Sequence, residues 1–175
     1  MKHNEFYTYG ILTGVLVGAI ASVFILRSIT KDHALRTKYD EMQKRIRGDA
    51  YMYGFYTMVF CEALLSLAEL FVTIPADPLV IHFMTIIVGI GVQAGYSIWN
   101  NAYVGLNTNM NRFIISMIVI GSINILTAVM AWHDGRMVVD GVVQPPFCNF
   151  MISVLFLVLG LIGLLKKRNE KEEAQ

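Results

Sequence analysis

The sequence predicts an all-α integral membrane protein, with five transmembrane helices, a cytoplasmic amphipathic helix and a small outer β-hairpin. Of the 175 residues, 55% are apolar and only 15% are charged, whereas soluble domains carry about 25% charged residues. The charge is concentrated in residues 27–50 and 166–173, with long apolar blocks between them. Each block is close to the roughly 20 residues that a spanning helix needs.

The five predicted spans cover most of the chain and leave too little of it for a separate soluble domain. A buried helical bundle in water is the competing interpretation, but these segments are apolar all round and have no polar face for solvent. We therefore expect a single membrane domain over residues 1–175, embedded in the lipid bilayer. The predicted spans are 6–26, 50–72, 79–99, 113–132 and 147–165.

The first span carries small residues at every fourth position, a pattern that lets another helix approach closely. The stripe consists of Gly10, Gly14, Gly18 and Ser22. Packing within the five-helix bundle and packing between copies in a homo-oligomer both fit this pattern.

The charged segment 31–47 is predicted to be a cytoplasmic amphipathic helix. Its apolar residues Leu35, Tyr39, Met42 and Ile46 are spaced by four, three and four, which places them on one helical face. This face fits either the surface of the inner leaflet or a cytoplasmic protein partner. Gly48 is expected to break or hinge the helix, and Asp49 is expected to cap the second span.

The run DEMQKRIRGDAYMYGFYT, residues 40–57, resembles a signature in uncharacterised small multi-spanning membrane proteins of Gram-positive bacteria. In that signature an acidic start leads to Arg-Gly-x-Ala-Tyr-x-Tyr-x-Phe at the head of a membrane helix. Met42 and Asp49 depart from the residues usual there. The resemblance implies a bacterial plasma-membrane protein and carries no activity with it.

Two carboxylates lie inside the second span, where a charged acid costs about 2.5–3.5 kcal/mol on insertion scales. Glu62 and Glu69 are seven residues apart, about 10 Å along one helical face, so they must have different partners. A short loop joins the second and third spans, so residues equally far from this loop should lie at similar depth. This count pairs Glu69 with His82. The same matching predicts a mid-membrane polar layer of Glu62, Gln93 and Asn124. This layer fits structural hydrogen bonds or a proton or cation pathway.

Two further patterns concern the ends of the helices. The segment MVVDGVVQ, residues 137–144, places Asp-Gly between Val pairs and predicts a two-residue hairpin. Five spans also divide the Lys and Arg residues unequally, which predicts an N-terminus outside and a cytoplasmic C-terminus. Only Lys2 and Arg136 fall outside, against Arg27, Lys31, Arg36, Lys38, Lys44, Arg45, Arg47, Arg112, Lys166, Lys167, Arg168 and Lys171 inside.

The sequence carries no motif for a cofactor, a metal ion or nucleic acid, and no nucleophile has a base at a matching depth. We therefore expect a non-enzymatic regulator or partner subunit of the plasma membrane that acts through the cytoplasmic helix 31–47. The alternative is a small proton- or cation-coupled transporter or channel component that uses Glu62. A single bundle without an inverted repeat or a broken helix favours the first.

Overall fold

The structure, a computed structural model, describes residues 13, 16–18, 20–25, 27–31 and 37–173. This part of the chain forms five helices and a two-stranded antiparallel sheet. Four of the helices, α2 to α5, are long and apolar enough to cross a membrane, whereas α1 is shorter. The elements are α1 (Leu16–Ile29), α2 (Glu41–Glu69), α3 (Pro78–Trp99), α4 (Met110–His133), β1 (Val138–Val139), β2 (Val142–Val143) and α5 (Phe147–Glu173).

Helix α2 begins nine residues before the predicted span, at Glu41 rather than at Ala50. Asp40 is its N-cap: the carboxylate accepts from the backbone N–H of Gln43 at 2.6 Å, and the Gln43 side chain accepts in return from the Asp40 N–H at 3.3 Å. This reciprocal capping box satisfies two backbone donors at the helix start. The predicted separate helix over 31–47 and the cap at Asp49 are therefore wrong, because Gly48 continues the helix.

The helices pack in the order α2, α3, α5, α4. Helices α2 and α3 approach most closely at two glycines. A Cβ placed on Gly54 would lie 2.6 Å from Gln93 Cβ and 2.8 Å from the Gly89 carbonyl oxygen, and one on Gly89 would lie 2.8 Å from Met58 Cβ. The helix backbones are therefore in contact at this level, as small residues permit in membrane helix pairs.

Helices α4 and α5 also approach each other closely at glycines. A Cβ on Gly121 of α4 would lie 2.8 Å from Leu157 Cγ, and one on Gly163 of α5 would lie 3.1 Å from Ile114 Cγ1. The main apolar core lies where these helices meet α3 and the end of α1. It contains Ile29, Ala94, Ile98, Phe113, Ile114, Met117 and Leu159.

The basic end of the bundle, which holds residues 27–31, 37–49 and 100–112, is tied together by backbone hydrogen bonds. The α3–α4 loop runs between the end of α1 and the segment that precedes α2. Lys31 N–H donates to the Asn107 carbonyl at 2.7 Å, and Leu106 N–H donates to the Lys38 carbonyl at 2.8 Å. A Cβ on Gly105 would collide with Thr37 and with the Lys38 carbonyl, so this crossing needs a glycine.

The opposite end of the bundle, the hairpin end, carries the predicted β-hairpin, which is confirmed. Val138 pairs with Val143 and Val139 with Val142. Asp140 and Gly141 form the turn with φ values of 51° and 78°, the positive values that a two-residue turn of this type requires. The hairpin packs on its own chain: Asp77 N–H donates to the Val143 carbonyl at 2.8 Å, and Val143 N–H donates to the Pro75 carbonyl at 2.9 Å.

The predicted stripe on α1 is only partly described, because Gly10 and Gly14 lie outside the described residues. Among the residues that the structure describes, none has an atom within 4 Å of a Cβ placed on Gly18. Ser22 is exposed, and its hydroxyl donates to the Gly18 carbonyl of the same helix at 2.8 Å. Packing of this stripe within the bundle stays a prediction. Homo-oligomerisation through it stays a prediction.

The contact between Gly54 and Gly89 makes a stability prediction. Gly54→Ala should destabilise the protein by about 1–3 kcal/mol, because the added methyl group forces the two backbones apart. Gly48→Ala is the matched control, since a Cβ there meets nothing within 4 Å and alanine favours a helix. Unfolding in detergent measures both variants. Equal stabilities for the two would contradict close contact at this level.

Candidate functional site

Glu62 lies in the third of the α2–α3 pair nearest the hairpin end, seven residues before the end of α2, and has two side-chain partners on α3. The His82 Nδ1 atom lies 2.7 Å from Glu62 Oε1. The Thr85 hydroxyl lies 2.9 Å from Glu62 Oε2 and 2.7 Å from the His82 backbone carbonyl, so one proton serves two acceptors. Both carboxylate oxygens are therefore hydrogen-bonded. This arrangement offsets much of the penalty for placing an acid at membrane depth.

The predicted pair of Glu69 and His82 is wrong, because His82 pairs with Glu62. Glu69 is the last residue of α2 and is exposed. The depth estimate placed the helix end at residue 72, whereas residues 70–77 form the connection to α3. The longer connection and the Gly54–Gly89 contact shift α3 along α2 by about two helical turns relative to the estimate, which brings His82 to Glu62.

The predicted polar layer of Glu62, Gln93 and Asn124 does not form. Gln93 lies beside Gly54, two turns of α2 away from Glu62. The Asn124 side chain donates to the Ile120 carbonyl of its own helix at 2.9 Å. Its helix, α4, packs on α5 rather than on α2. Equal depth in the membrane predicted a contact, but the lateral order of the helices separates these residues.

Glu62 and His82 face an open groove rather than the centre of the bundle. Their side chains are 40% and 50% exposed, whereas Thr85 between them is buried. The groove widens here into a cleft of about 400 Å³, and a second cleft of about 230 Å³ continues it past Gly54 and Gly89. We call this the α2–α3 groove. It is lined by Tyr51, Gly54, Phe55, Met58, Val59, Glu62, Ala63, Ser66, His82, Thr85, Ile86, Gly89, Ile90 and Gln93.

The chemistry of the groove is that of one hydrogen-bonded carboxylate and imidazole in apolar surroundings. Such a pair can hold or exchange a proton, because imidazole and carboxylate both accept and release one. Among the described residues, no group of three or more His, Cys, Asp or Glu side chains comes together to hold a metal ion.

The residues predicted to dock a cytoplasmic partner are not on one helical face. Leu35 lies outside the described residues, and Tyr39 precedes α2. The Tyr39 hydroxyl accepts from Arg47 at 3.0 Å and donates to the Tyr103 carbonyl at 3.4 Å, which holds it against the bundle. Met42, which is 73% exposed, and the half-buried Ile46 remain on α2. The stripe is therefore divided by the helix start at Glu41.

Sequence reasoning identified Glu62 and His82 but not their pairing, and it missed Thr85 and Gly54. The sequence contains a signal for each of the two missed residues. Thr85 lies three residues after His82, which is one helical turn. Gly54 is the small residue on α2 that a close approach of α3 requires.

The observed pairing predicts a measurable coupling energy. A double-mutant cycle of Glu62→Gln and His82→Gln should give a coupling of roughly 0.6–1.7 kcal/mol, the range of hydrogen bonds between membrane helices. The same cycle with Glu69→Gln is the control and should give a value near zero. Reversible unfolding in mixed micelles measures both. A larger coupling for Glu69 would overturn the register described here.

Comparison with known proteins adds no assignment to this geometry. No protein-family model matches the chain, and no curated protein or solved structure matches it. The groove carries a hydrogen-bonded carboxylate and imidazole and an apolar surface, and the described part of the chain brings no metal-ligand cluster together.

Proposed function

We propose that this protein is a non-enzymatic partner subunit, or regulator, of a bacterial plasma-membrane assembly, and that it spans the membrane five times. The surface of its helices supports membrane residence. Only 17–28% of the residues in the apolar windows of α2 to α5 are buried inside the chain. The remaining apolar surface fits lipid or other membrane helices.

The observation that carries the proposal is the position of the Glu62–His82 pair. Polar side chains at membrane depth normally face a protein interior, yet this pair is about half exposed on the α2–α3 groove. A helix of another protein that lies in the groove would remove the pair from lipid. Because the two side chains already bind each other, that helix needs apolar residues and at most one hydrogen-bonding group at this level.

The shape of the groove favours a helix as its occupant. Ala63 and Ser66 are small and exposed beside Glu62, and small residues let a second helix backbone approach closely. Phe55 and Val59, which are 57% and 46% exposed, provide apolar contacts along the same side of α2.

The basic end of α2 provides a second contact surface for a regulator. Helix α2 has 29 residues, about 43 Å, and so exceeds a hydrocarbon core of about 30 Å by roughly 13 Å. The excess length corresponds to the charged helical residues Glu41–Gly48, among which Met42 is exposed. This extension takes the place of the separate docking helix that the sequence predicted.

The groove should crosslink to a partner in the native membrane. A photo-crosslinking amino acid at Val59 should give one discrete protein adduct, because Val59 lines the groove. The same amino acid at Ile123 is the control. Ile123 is 58% exposed, which is comparable to the 46% of Val59, but it lies on α4 away from the groove. Gel mobility and mass spectrometry identify the adducts.

Two results would contradict the partner-subunit proposal. The first is the absence of any protein adduct at Val59 in cells that express the protein at its native level. The second is an adduct with a second copy of this chain alone, which would assign the groove to self-association.

The proposed topology has the N-terminus outside and the C-terminus in the cytoplasm. It rests on the excess of Lys and Arg at the basic end, which the positive-inside rule assigns to the cytoplasm. Cysteines introduced at residues 3 and 140 should react with a membrane-impermeant reagent in whole cells, and those at residues 40 and 173 only after lysis. Residue 140 labelled only after lysis would contradict five spans in this orientation.

One observation favours a second function, proton or cation coupling through Glu62. The carboxylate and His82 form a proton-exchanging pair beside a cleft of about 400 Å³. This function ranks second because the cleft opens to the side of the α2–α3 pair. Proton uptake by vesicles containing the purified protein, abolished by Glu62→Gln, would favour it.

A further inference from the structure

We propose that the basic end of the bundle contains a binding site for an anionic phosphate or carboxylate group, held by Arg47 in the lining of a pocket. The pocket has a volume of about 270 Å³ and lies between the end of α1, the start of α2, the α3–α4 loop and the start of α4. It is separate from the α2–α3 groove and does not depend on the partner-subunit function.

The Arg47 side chain is half-buried and held in place by aromatic residues. Its guanidinium carbon lies 4.2 Å from the centre of the Tyr39 ring and 5.6 Å from that of Tyr51. Nη1 donates to the Tyr39 hydroxyl at 3.0 Å and to the Ala102 carbonyl at 3.5 Å, and Nη2 donates to the Tyr51 hydroxyl at 2.9 Å. The guanidinium is thus preorganised, with little side-chain freedom left to lose on binding.

Two N–H groups of Arg47 have no acceptor among the residues that the structure describes. They are Nε–H and the second Nη2–H. A guanidinium can bind one carboxylate or phosphate with two parallel hydrogen bonds from Nε–H and Nη2–H. The part of Arg47 that is available for a ligand therefore matches an oxyanion.

Arg47 also forms no ion pair with any residue in the described part of the chain. Glu41 pairs with Lys44 at 2.6 Å, and the Asp40 carboxylate accepts from the backbone N–H of Gln43 at 2.6 Å. Lys38 and Arg112, which flank the pocket residues Tyr39 and Phe113 in sequence, are exposed cations. A half-buried cation in a basic region attracts an anion, and its fixed position gives the anion one binding geometry.

The lining of the pocket combines polar and apolar side chains. Thr37, Tyr39 and Thr108 line it together with Arg47, and Ile25 and Met117, each one helical turn from Ile29 and Phe113, line it as well. Tyr103 is also part of the lining. Burial raises the pKa of the Tyr103 phenol although the nearby Arg47 charge lowers it, so the phenol stays protonated at neutral pH and can donate to an anion.

An anion with an apolar body fits a lining that combines Arg47 with apolar side chains, and a membrane supplies it as an anionic lipid. The same oxyanion chemistry can come from free phosphate. The full-length protein in mild detergent is titrated with short-chain phosphatidylglycerol, with phosphatidylcholine of the same chain length, and with inorganic phosphate. Native mass spectrometry and the thermal unfolding temperature measure binding. Saturable binding of phosphatidylglycerol without phosphate binding identifies a lipid as the source, and saturable phosphate binding identifies the free anion.

In either case Arg47→Gln should weaken binding by at least about tenfold, the expected effect of losing a charge-assisted bidentate contact. Arg45→Gln is the matched control, because it removes the same charge from an exposed position two residues away that does not line the pocket. Equal binding of the two lipids with no phosphate binding, or equal affinities of the two variants, would overturn the proposal.

A second variant keeps Arg47 in place and tests the apolar part of the pocket. Ile25→Trp fills the space beside Met117 with a larger side chain. For a lipid ligand it should lower the affinity for phosphatidylglycerol by about tenfold, roughly the loss of a few buried methylene groups, while thermal unfolding without lipid stays near that of the unchanged protein. For free phosphate it should leave binding unchanged. Undiminished phosphatidylglycerol binding by Ile25→Trp would contradict the pocket as the lipid site.

Discussion

The contact between the backbones of α2 and α3 at Gly54 and Gly89 is the constraint on which the rest of this structure depends. It sets how far α3 is shifted along α2, and that shift places His82 and Thr85 beside Glu62. A side chain at either glycine would separate the helices and remove both hydrogen bonds to the carboxylate. The close packing of α2 and α3 and the hydrogen bonds to Glu62 therefore depend on the same register.

The two ends of the bundle restrain the helices in a different way. Helices α2 to α5, which are long and apolar enough to cross a membrane, have broad apolar surfaces. In lipid, hydrophobic burial would provide no driving force between them, because the lipid tails are equally apolar. Backbone hydrogen bonds act where water and polar groups are present. At the basic end they join residues 106–109 to Ile29, Lys31 and Lys38, and at the hairpin end they join β2 to Pro75 and Asp77. These hydrogen bonds limit how far the helices can slide along one another.

Polar chemistry lies at the margins of the bundle rather than at its centre. Glu62 and His82 lie on the open side of α2 and α3, and Arg47 lines a pocket at the basic end. The main apolar core around Ile98 and Phe113 contains no ionisable side chain. This distribution favours contacts with neighbouring molecules, a helix at the groove and an anion at the pocket, over chemistry inside the protein. Both proposed sites use residues that their own chain holds in position but leaves partly exposed.

Features that depend on local properties could be predicted from the sequence. Segment length and apolar composition predicted α3, α4 and α5 to within a few residues at their starts, and the Asp-Gly turn between valine pairs predicted the hairpin. The start of α2 was missed because Gly48 suggests a helix end in isolation, whereas the Asp40–Gln43 capping box extends the helix through it. Only the tertiary structure decided which helices are neighbours and how far they are shifted. Depth can be counted along one chain, but lateral order and register depend on backbone contacts such as Gly54 with Gly89. Glu62 could therefore be identified from its position in a span, while its partner could not.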